Sequence, residues 1–305
     1  MKLPGNPIAL LGALIPLGLS TACSGSAAPQ IATALPLGSV RFETGDRYRR
    51  GRKVESDQPL RAIDCQETSL AVLQDGGLFL LDPFELTLEA KVRVPPARDL
   101  ARLSDRILLL TDTGELQSFA LPAGDPPETA AWPVPHALCL AAGPRLLAIG
   151  FDDGRIALLR HPAAGTERLE FVSALELGKA AISALCFGEG AASRFLYAGL
   201  SGSEQLIVID LENPSGPTVC NRIDAAEPRS LSGSGLDLWL TPRDDSVAGP
   251  LVYDLLVPSL PRLDAELPWR GALAAERLGE RLFVLEDEQT LATYTRVSAD
   301  SFEKP

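Results

Sequence analysis

The residues that could perform acid–base or metal chemistry are few and widely separated. Histidine occurs only twice, as His136 and His161, and a proline adjoins each of them. This count excludes a multi-histidine metal centre or a copper site. No G-x-S-x-G sequence is present to indicate a nucleophilic serine. We therefore predict no catalytic residue, and we interpret both histidines as structural or exposed.

The cysteines also lack a spacing that would bind a metal. Apart from Cys23, the chain contains Cys65, Cys139, Cys186 and Cys220, without a CxxC pair, so a zinc site is not predicted. Four cysteines in an exported chain could form two disulfides by any of three pairings. The first three of them each lie in the strand just before the main apolar strand of a repeat. Such equivalent positions favour buried free thiols.

Three acidic clusters resemble cation-binding loops only superficially. They are Asp152-Asp153, Asp244-Asp245 and Glu286-Asp287-Glu288. None has the alternating acidic pattern with a closing glutamate that a calcium loop requires. Aspartate is also common in tight turns, so we interpret these clusters as turns. Because no phosphate-binding or dinucleotide motif occurs either, we predict no metal and no cofactor.

The predicted strands, which would position any functional residue, recur along the chain as a repeat. Short apolar runs recur about every 40–45 residues, and each is followed by a polar turn and a second extended run. The six runs are Leu70–Leu73, Ile107–Leu110, Leu146–Ile149, Phe195–Ala198, Leu236–Leu240 and Leu282–Leu285. Several strands per repeat at this period are typical of a β-propeller. We predict an all-β protein with six blades, or seven if residues 32–58 form a unit of their own.

The last repeat is too short for a complete blade. An open blade would expose the hydrogen-bonding groups of an edge strand, which folded proteins avoid. We therefore predict that an N-terminal strand completes the last blade. The alternating residues Ser39–Glu43 are the expected strand.

The clearest copy of the repeat is Phe195–Asp224, in which Asn213-Pro214 follows Leu206-Ile207-Val208-Ile209-Asp210. These residues resemble the LVIVD repeat of bacterial and archaeal cell-surface β-propellers. The resemblance covers about 30 residues and is loose elsewhere. It implies that the segment is part of a propeller blade, and it implies no catalytic residue.

The first residues of the chain predict an export signal. Lys2 precedes the apolar run Ile8–Leu19, which is too short for a comfortable transmembrane span. The following residues up to Cys23 resemble a bacterial lipobox, with cleavage between Ala22 and Cys23 and lipid attachment at Cys23. We expect a signal peptide at 1–22, a flexible tether at 23–35 and a propeller domain at 36–305. Ser24, rather than aspartate, resembles lipoproteins sent to the outer membrane.

Charge also limits the class of partner. The chain has a formal net charge of −12, which disfavours nucleic acid. One basic run stands out in this acidic chain, and its members are Arg47, Arg49, Arg50, Arg52 and Lys53. It could contact anionic lipid head groups near the anchored end, or it could be an ordinary solvated loop.

Two functions are compatible with these features. The first is a non-enzymatic binding or scaffold propeller, monomeric, lipid-anchored to the cell envelope and bound to another envelope protein. The inserts Gly188–Arg194 and Arg243–Gly249 are the expected binding loops. The alternative is a propeller hydrolase or lactonase with a cation in the central channel, for which Asp64 and Glu227 are candidates. Trp132 and Trp269 could be wedges between blades or exposed anchors.

Overall fold

Six antiparallel sheets account for nearly all the regular structure. The computed structural model describes residues 48–66, 69–103, 106–120, 129–161, 169–244, 249–267 and 269–296. Within these ranges the regular elements are 24 strands and one short 3-10 turn at Gly190–Ala192. The strands form six four-stranded sheets, each of which is one blade. No helix in the described ranges has the length and apolar character needed to cross a membrane.

The first three blades each consist of four consecutive strands, in order from the innermost to the outermost. Blade 1 contains β2 (Leu60–Gln66), β3 (Ser69–Gln74), β4 (Gly77–Leu81) and β5 (Leu88–Arg93). Blade 2 contains β6 (Ala97–Leu103), β7 (Arg106–Thr111), β8 (Glu115–Ala120) and β9 (Thr129–Pro133). Blade 3 contains β10 (Ala137–Ala142), β11 (Leu146–Phe151), β12 (Arg155–Arg160) and β13 (Glu170–Glu176).

The last three blades follow the same order, except that the chain's first strand closes the sixth. Blade 4 contains β14 (Ile182–Phe187), β15 (Phe195–Leu200), β16 (Gln205–Asp210) and β17 (Thr218–Asp224). Blade 5 contains β18 (Pro228–Ser234), β19 (Asp237–Pro242), β20 (Leu251–Asp254) and β21 (Arg262–Glu266). Blade 6 contains β22 (Ala274–Leu278), β23 (Arg281–Leu285), β24 (Thr290–Arg296) and, outermost, β1 (Tyr48–Glu55).

The apolar runs of the sequence are the second strands of the blades, as predicted. In β15, all six residues Phe195–Leu200 are buried, and β23 buries Leu282–Leu285 completely. A continuous apolar run, rather than an alternating one, is expected for a strand that has another blade against each of its faces. Each buried leucine, isoleucine or phenylalanine contributes about 1.5–3 kcal/mol of hydrophobic free energy.

The hydrophobic core lies between the blades. One cluster joins blades 1 and 2, and others join blades 3 and 4, 4 and 5, 5 and 6, and 6 and 1. The innermost strands also contact one another around the complete ring. The cluster between blades 6 and 1 contains Phe283 and Leu285 from blade 6 and Leu70 and Val72 from blade 1. The ring is therefore closed by the same packing that joins its other blades, and the six-bladed prediction is confirmed.

An N-terminal strand completes the last blade, but it is not the strand that the sequence suggested. Tyr48–Glu55 pairs antiparallel with β24, from Tyr48 opposite Arg296 to Glu55 opposite Thr290. The expected segment, Ser39–Glu43, lies outside the described residues. The loop interpretation of the basic run was wrong, because four of its five residues are on β1. This strand was missed because it has almost no apolar residues, and most of its side chains are exposed.

The connections between strands divide the molecule into two faces. We call the end that carries the second-to-third-strand turns and the links between blades the turn face. The opposite end, with the first-to-second and third-to-fourth connections, is the loop face. On the turn face, the Asp152 amide donates to the His136 carbonyl (3.0 Å), and the Leu177 amide donates to the Gly154 carbonyl (3.0 Å). Equivalent pairs of hydrogen bonds occur in blades 1, 2, 4 and 5.

Candidate functional site

The innermost strands of all six blades enclose a central channel. Its volume is about 1220 Å³, and β2, β6, β10, β14, β18 and β22 all contribute to its wall. In a propeller, one edge of each innermost strand has no neighbouring strand, so its amide and carbonyl groups need other partners. How this wall satisfies them determines what the channel can bind.

Side chains of one blade bond to the free strand edge of the next. Asp64 Oδ2 in blade 1 accepts a hydrogen bond from the Arg102 amide of blade 2 at 2.9 Å. Asp99 Oδ2 in blade 2 accepts one from the Leu140 amide of blade 3 at 2.8 Å. Ser232 Oγ in blade 5 donates to the Ala275 carbonyl of blade 6 at 2.6 Å. These polar residues therefore join neighbouring blades around the channel.

The carboxyl groups in the wall are held in an unfavourable electrostatic setting. Burial raises the pKa of Asp64 to about 6, although its hydrogen bond from the Arg102 amide and the nearby Arg102 charge act in the opposite direction. Burial also raises the pKa of Asp99 to about 7. The pKa of Glu276 lies well above its ordinary value because of burial and then of Asp64, Glu189 and Asp99. The side chains keep some accessible surface because they border the channel, but bulk water does not surround them.

Four cysteines of the described chain are free thiols, as the sequence favoured. Cys65, Cys139 and Cys186 all lie on innermost strands, but they do not occupy equivalent positions. They pair opposite Leu70, Gly150 and Tyr197, which are at different levels of their strands. A bulge shifts the register near the start of all three innermost strands, so it does not account for the difference, and the cysteines simply lie at different distances from it. Burial raises the pKa of each of the three thiols, so none is activated as a thiolate.

The candidates for the enzyme alternative do not form one site. Asp64 lines the channel, whereas Glu227 lies on the turn face and pairs with Arg243 at 2.9 Å. His136 is exposed and hydrogen-bonds Asp152 at 3.0 Å, and His161 borders the channel. In the parts of the chain that the structure describes, no three His, Cys, Asp or Glu side chains are arranged to hold a metal ion.

The loop face has a different character, because it carries exposed apolar side chains. All eight large exposed hydrophobic residues in the described ranges lie on its loops or at the adjoining ends of outer strands. Four of them occupy the same register position in blades 1, 3, 4 and 5, next to a bulge in the outer strand. They are Leu88, Phe171, Val219 and Leu263, opposite Leu81, Leu159, Ile209 and Tyr253 respectively.

The most exposed of these apolar residues lie on a loop that is fastened to the neighbouring blade. Leu256 is 72% exposed and Val257 is 52% exposed, between β20 and β21. Tyr197 of blade 4 donates from its hydroxyl to the Pro258 carbonyl at 2.9 Å. Asn221, also of blade 4, donates from its side-chain amide to the Ser259 carbonyl at 3.0 Å. The loop is therefore held in place while its two apolar side chains remain in solvent.

Sequence reasoning did not single out Leu256 and Val257 as exposed residues. Only Asp254 interrupts the apolar residues from Leu251 to Val257, so the sequence alone does not separate Leu256 and Val257 from the buried strand. The structure ends β20 at Asp254, whose Oδ1 accepts the Leu256 amide at 2.8 Å. Asp254 and Pro258 are residue types that favour turns, and their spacing could have indicated a loop here.

The two inserts expected to form one binding surface lie on opposite faces. Gly188–Arg194 joins the first two strands of blade 4 on the loop face, whereas Arg243–Gly249 joins β19 and β20 on the turn face. The expectation of a shared surface was therefore wrong. Residues 245–248 of the second insert lie outside the described residues. The tryptophans are better explained as wedges: Trp132 is buried, and Trp269 packs against Tyr48 and Tyr294.

Some predicted site residues lie outside the described ranges, and others are already paired. Ala22, Cys23 and Arg47 belong to the first group. On β1, Arg50 pairs with Glu286 and Arg52 with Glu85, each at 2.5 Å, and Lys53 pairs with Glu55. Arg49 is exposed, and no ion pair joins it to another described residue. Contact of this run with an anionic surface stays a prediction.

Comparisons with known proteins define the fold class. No protein-family model and no curated protein matches the chain. It is similar to a WD40 domain of Neurospora crassa Pan2 (13% identity, TM-score 0.51, 78% of this chain and 75% of the other). It is also similar to a chain of a mitotic checkpoint complex (14% identity, TM-score 0.57, 91% of this chain and 99% of the other). A third similar structure is a functionally unknown protein of Desulfotomaculum acetoxidans (14% identity, TM-score 0.55, 76% of this chain and 78% of the other). The chain is a six-bladed β-propeller, and these likenesses concern its fold alone.

Proposed function

We propose that this chain is a non-enzymatic, monomeric scaffold propeller that binds another protein of the bacterial cell envelope through its loop face. A lipid on Cys23 anchors it, as the lipobox-like sequence before Cys23 suggests, and Ser24 after the cysteine favours the outer membrane. The repeat that resembles LVIVD propellers of cell surfaces supports the same location.

The observation that carries the binding role is the exposed pair Leu256 and Val257 on a fastened loop. Keeping apolar side chains in water is unfavourable, and concentrated apolar surface often marks an interaction site. A loop that is already held by Tyr197 and Asn221 loses little conformational freedom when a partner binds. Val219 and Leu263 are also exposed, on the outer strands of blades 4 and 5. One similar structure also belongs to a protein complex.

Crosslinking in the native envelope tests the binding surface. The wild type should capture one dominant protein, and Leu256→Asp should reduce its recovery by roughly tenfold or more, because a charge would be desolvated in the interface. Leu88→Asp is the matched control, since Leu88 is also an exposed leucine of the loop-face rim, at 57%, but belongs to blade 1. Equal loss in both variants, or no loss in either, would contradict a site at blades 4 and 5.

Metabolic labelling with a fatty acid tests the anchor independently. Wild-type protein should take up lipid and sediment with membranes, whereas Cys23→Ser should do neither. A wild type that takes up no lipid, together with a variant that still sediments with membranes, would refute the anchor without affecting the binding surface.

A further inference from the structure

We propose that the central channel binds a small organic amine, with the carboxylate of Glu276 as its principal contact. This site is separate from the loop surface at blades 4 and 5, and it does not depend on the proposed scaffold role. Its basis is the central channel of about 1220 Å³, in whose wall the acidic side chain of Glu276 is surrounded by protein atoms and has no partner among the described residues.

Glu276 differs from the other polar residues of the wall. Asp64 and Asp99 each accept an amide of the next blade, but Glu276 makes no hydrogen bond or ion pair with any described residue. Protein atoms enclose its carboxyl group, and its remaining accessible surface opens into the channel. A carboxylate in such a place lacks the solvation that water or a hydrogen-bond donor would provide. A ligand with N–H donors would supply it.

A second carboxylate lies at the same level of the wall. Glu276 pairs opposite Phe283 and Asp64 opposite Ala71, which are equivalent positions in the neighbouring blades 6 and 1. The carboxyl groups of Asp64, Asp99 and Glu189 act on Glu276 in the same direction as its burial and raise its pKa further. A positively charged ligand would relieve this repulsion.

The arginines of the wall have other partners. Arg102 donates from Nη1 to the Ser69 carbonyl at 2.7 Å, and Arg61 and Arg98 pair with Asp75 and Asp112 at the turn face. None of these contacts reaches Glu276. The wall therefore leaves the buried carboxyl group of Glu276 without a basic partner although arginines are present.

The chemistry of the wall favours an amine over a metal ion. The described residues contain no group of three or more acidic, histidine or cysteine side chains that could hold a metal. An ammonium group needs no such convergent ligand set. Its three N–H donors can be shared between one carboxylate and other acceptors of the channel.

Calorimetric titration of the full chain with putrescine tests this proposal. Wild type should bind one equivalent saturably at low salt. Glu276→Gln keeps the size of the side chain but removes its charge, and it should weaken binding by roughly tenfold or more. Glu204→Gln is the matched control, because Glu204 is an exposed acid of the turn face outside the channel. It should leave the affinity unchanged.

Three results would overturn the proposal. The first is that wild type does not bind putrescine at millimolar concentration. The second is that wild type and Glu276→Gln bind it with equal affinity, and the third is that Mg²⁺ displaces it stoichiometrically. If Glu276→Gln does not fold, Glu276→Asp is the variant to measure. It keeps the negative charge, but its side chain is one methylene shorter, so the carboxylate lies further from the ligand. That variant should bind putrescine more weakly than wild type, and equal binding would count against the site. Leu256→Asp should not change putrescine affinity, which separates this test from that of the scaffold role.

Discussion

The two faces of the propeller differ in how their connections are bonded and in which side chains they expose. On the turn face, each of the first five second-to-third-strand turns is hydrogen-bonded both to the link before its blade and to the link after it. On the loop face, the connections differ from blade to blade, and the exposed apolar residues are concentrated there. The repeated face builds the ring, and the variable face is available for recognition. Substitutions on each face test this difference, and the largest loss of stability is expected on the turn face.

The tight packing of the turn face is tested most strongly at Gly154. This residue has a φ of +83°, and a Cβ atom there would lie 2.4 Å from the Gly178 carbonyl oxygen and 2.8 Å from that of Ala180. Both obstacles are backbone atoms and cannot rotate away. Gly154→Ala should lower the free energy of unfolding by more than about 3 kcal/mol, measured by urea denaturation.

Gly202→Ala is the control on the same face. Its φ is +70°, but nothing lies within 4 Å of the added Cβ. Only the cost of a left-handed conformation applies, about 1–2 kcal/mol. If both variants lose the same stability, the turn face is not packed as tightly as its geometry implies.

The channel wall connects the two faces, and its charge can be tested at Asp99. The folded-state pKa of about 7 is above that of an unfolded aspartate, so the folded state binds this proton more tightly. Its contribution to stability is complete below about pH 4 and is lost as the pH rises through about 7. Asp99→Asn should therefore gain at least about 2 kcal/mol relative to wild type between pH 4 and pH 8.

Asp99→Ala separates the charge from the hydrogen bond to blade 3. It removes the charge too, but it also leaves the Leu140 amide without its acceptor. We expect it to be less stable than Asp99→Asn at every pH, by about 1–3 kcal/mol in thermal or urea unfolding. A pH profile of Asp99→Asn that parallels wild type would show that Asp99 is ordinarily solvated.

On the loop face, the contact that fastens the loop after β20 is expected to have a smaller effect. Tyr197→Phe removes the hydrogen bond to the Pro258 carbonyl and should cost about 1 kcal/mol. Amide hydrogen exchange in 255–261 should accelerate. Of the two hydrogen bonds from blade 4 to this loop, only the one from Asn221 would remain.

Tyr253→Phe is the matched control for Tyr197→Phe. Tyr253 belongs to the same core cluster, but its hydroxyl makes no hydrogen bond with any described residue. Exchange in the loop should be unchanged in this variant. Faster exchange in both variants would point to a general loosening of the core instead of a specific fastening.

Much of the ring could be predicted from the sequence, because its signal is carried by buried runs. The segment Phe195–Asp224 contains three successive strands of blade 4 at almost the expected places. The closing strand could not be placed, since Tyr48–Glu55 is held mainly by backbone pairing and ion pairs that involve distant residues such as Glu286. The exposed loop after β20 was missed for the opposite reason, because Leu256 and Val257 look like core residues until the end of β20 is known.

The smallest expected effect concerns the basic residues of β1, where the chain enters the propeller at the loop-face end. Each basic residue close to an anionic surface contributes about 1 kcal/mol to binding. The charge of Arg50 is already compensated by Glu286, whereas Arg49 has no ion-pair partner among the described residues. Arg49→Gln should therefore weaken binding to anionic vesicles by about fivefold at low salt, and Arg50→Gln should weaken it less.

Co-sedimentation of a chain that starts after Cys23 measures this difference. High salt should abolish it, because screening shortens the range of the attraction from roughly 8 Å at physiological salt to roughly 3 Å at 1 M. If Arg49→Gln and Arg50→Gln lose the same affinity, the Arg50–Glu286 pair must open at the membrane. The basic side chains near the loop-face end would then act together. A lipid surface would in that case compete with a protein partner for the loop-face rim near blade 6. If only Arg49 matters, the ion pairs of β1 serve the closure of the ring, and the loop face at blades 4 and 5 remains free for its partner.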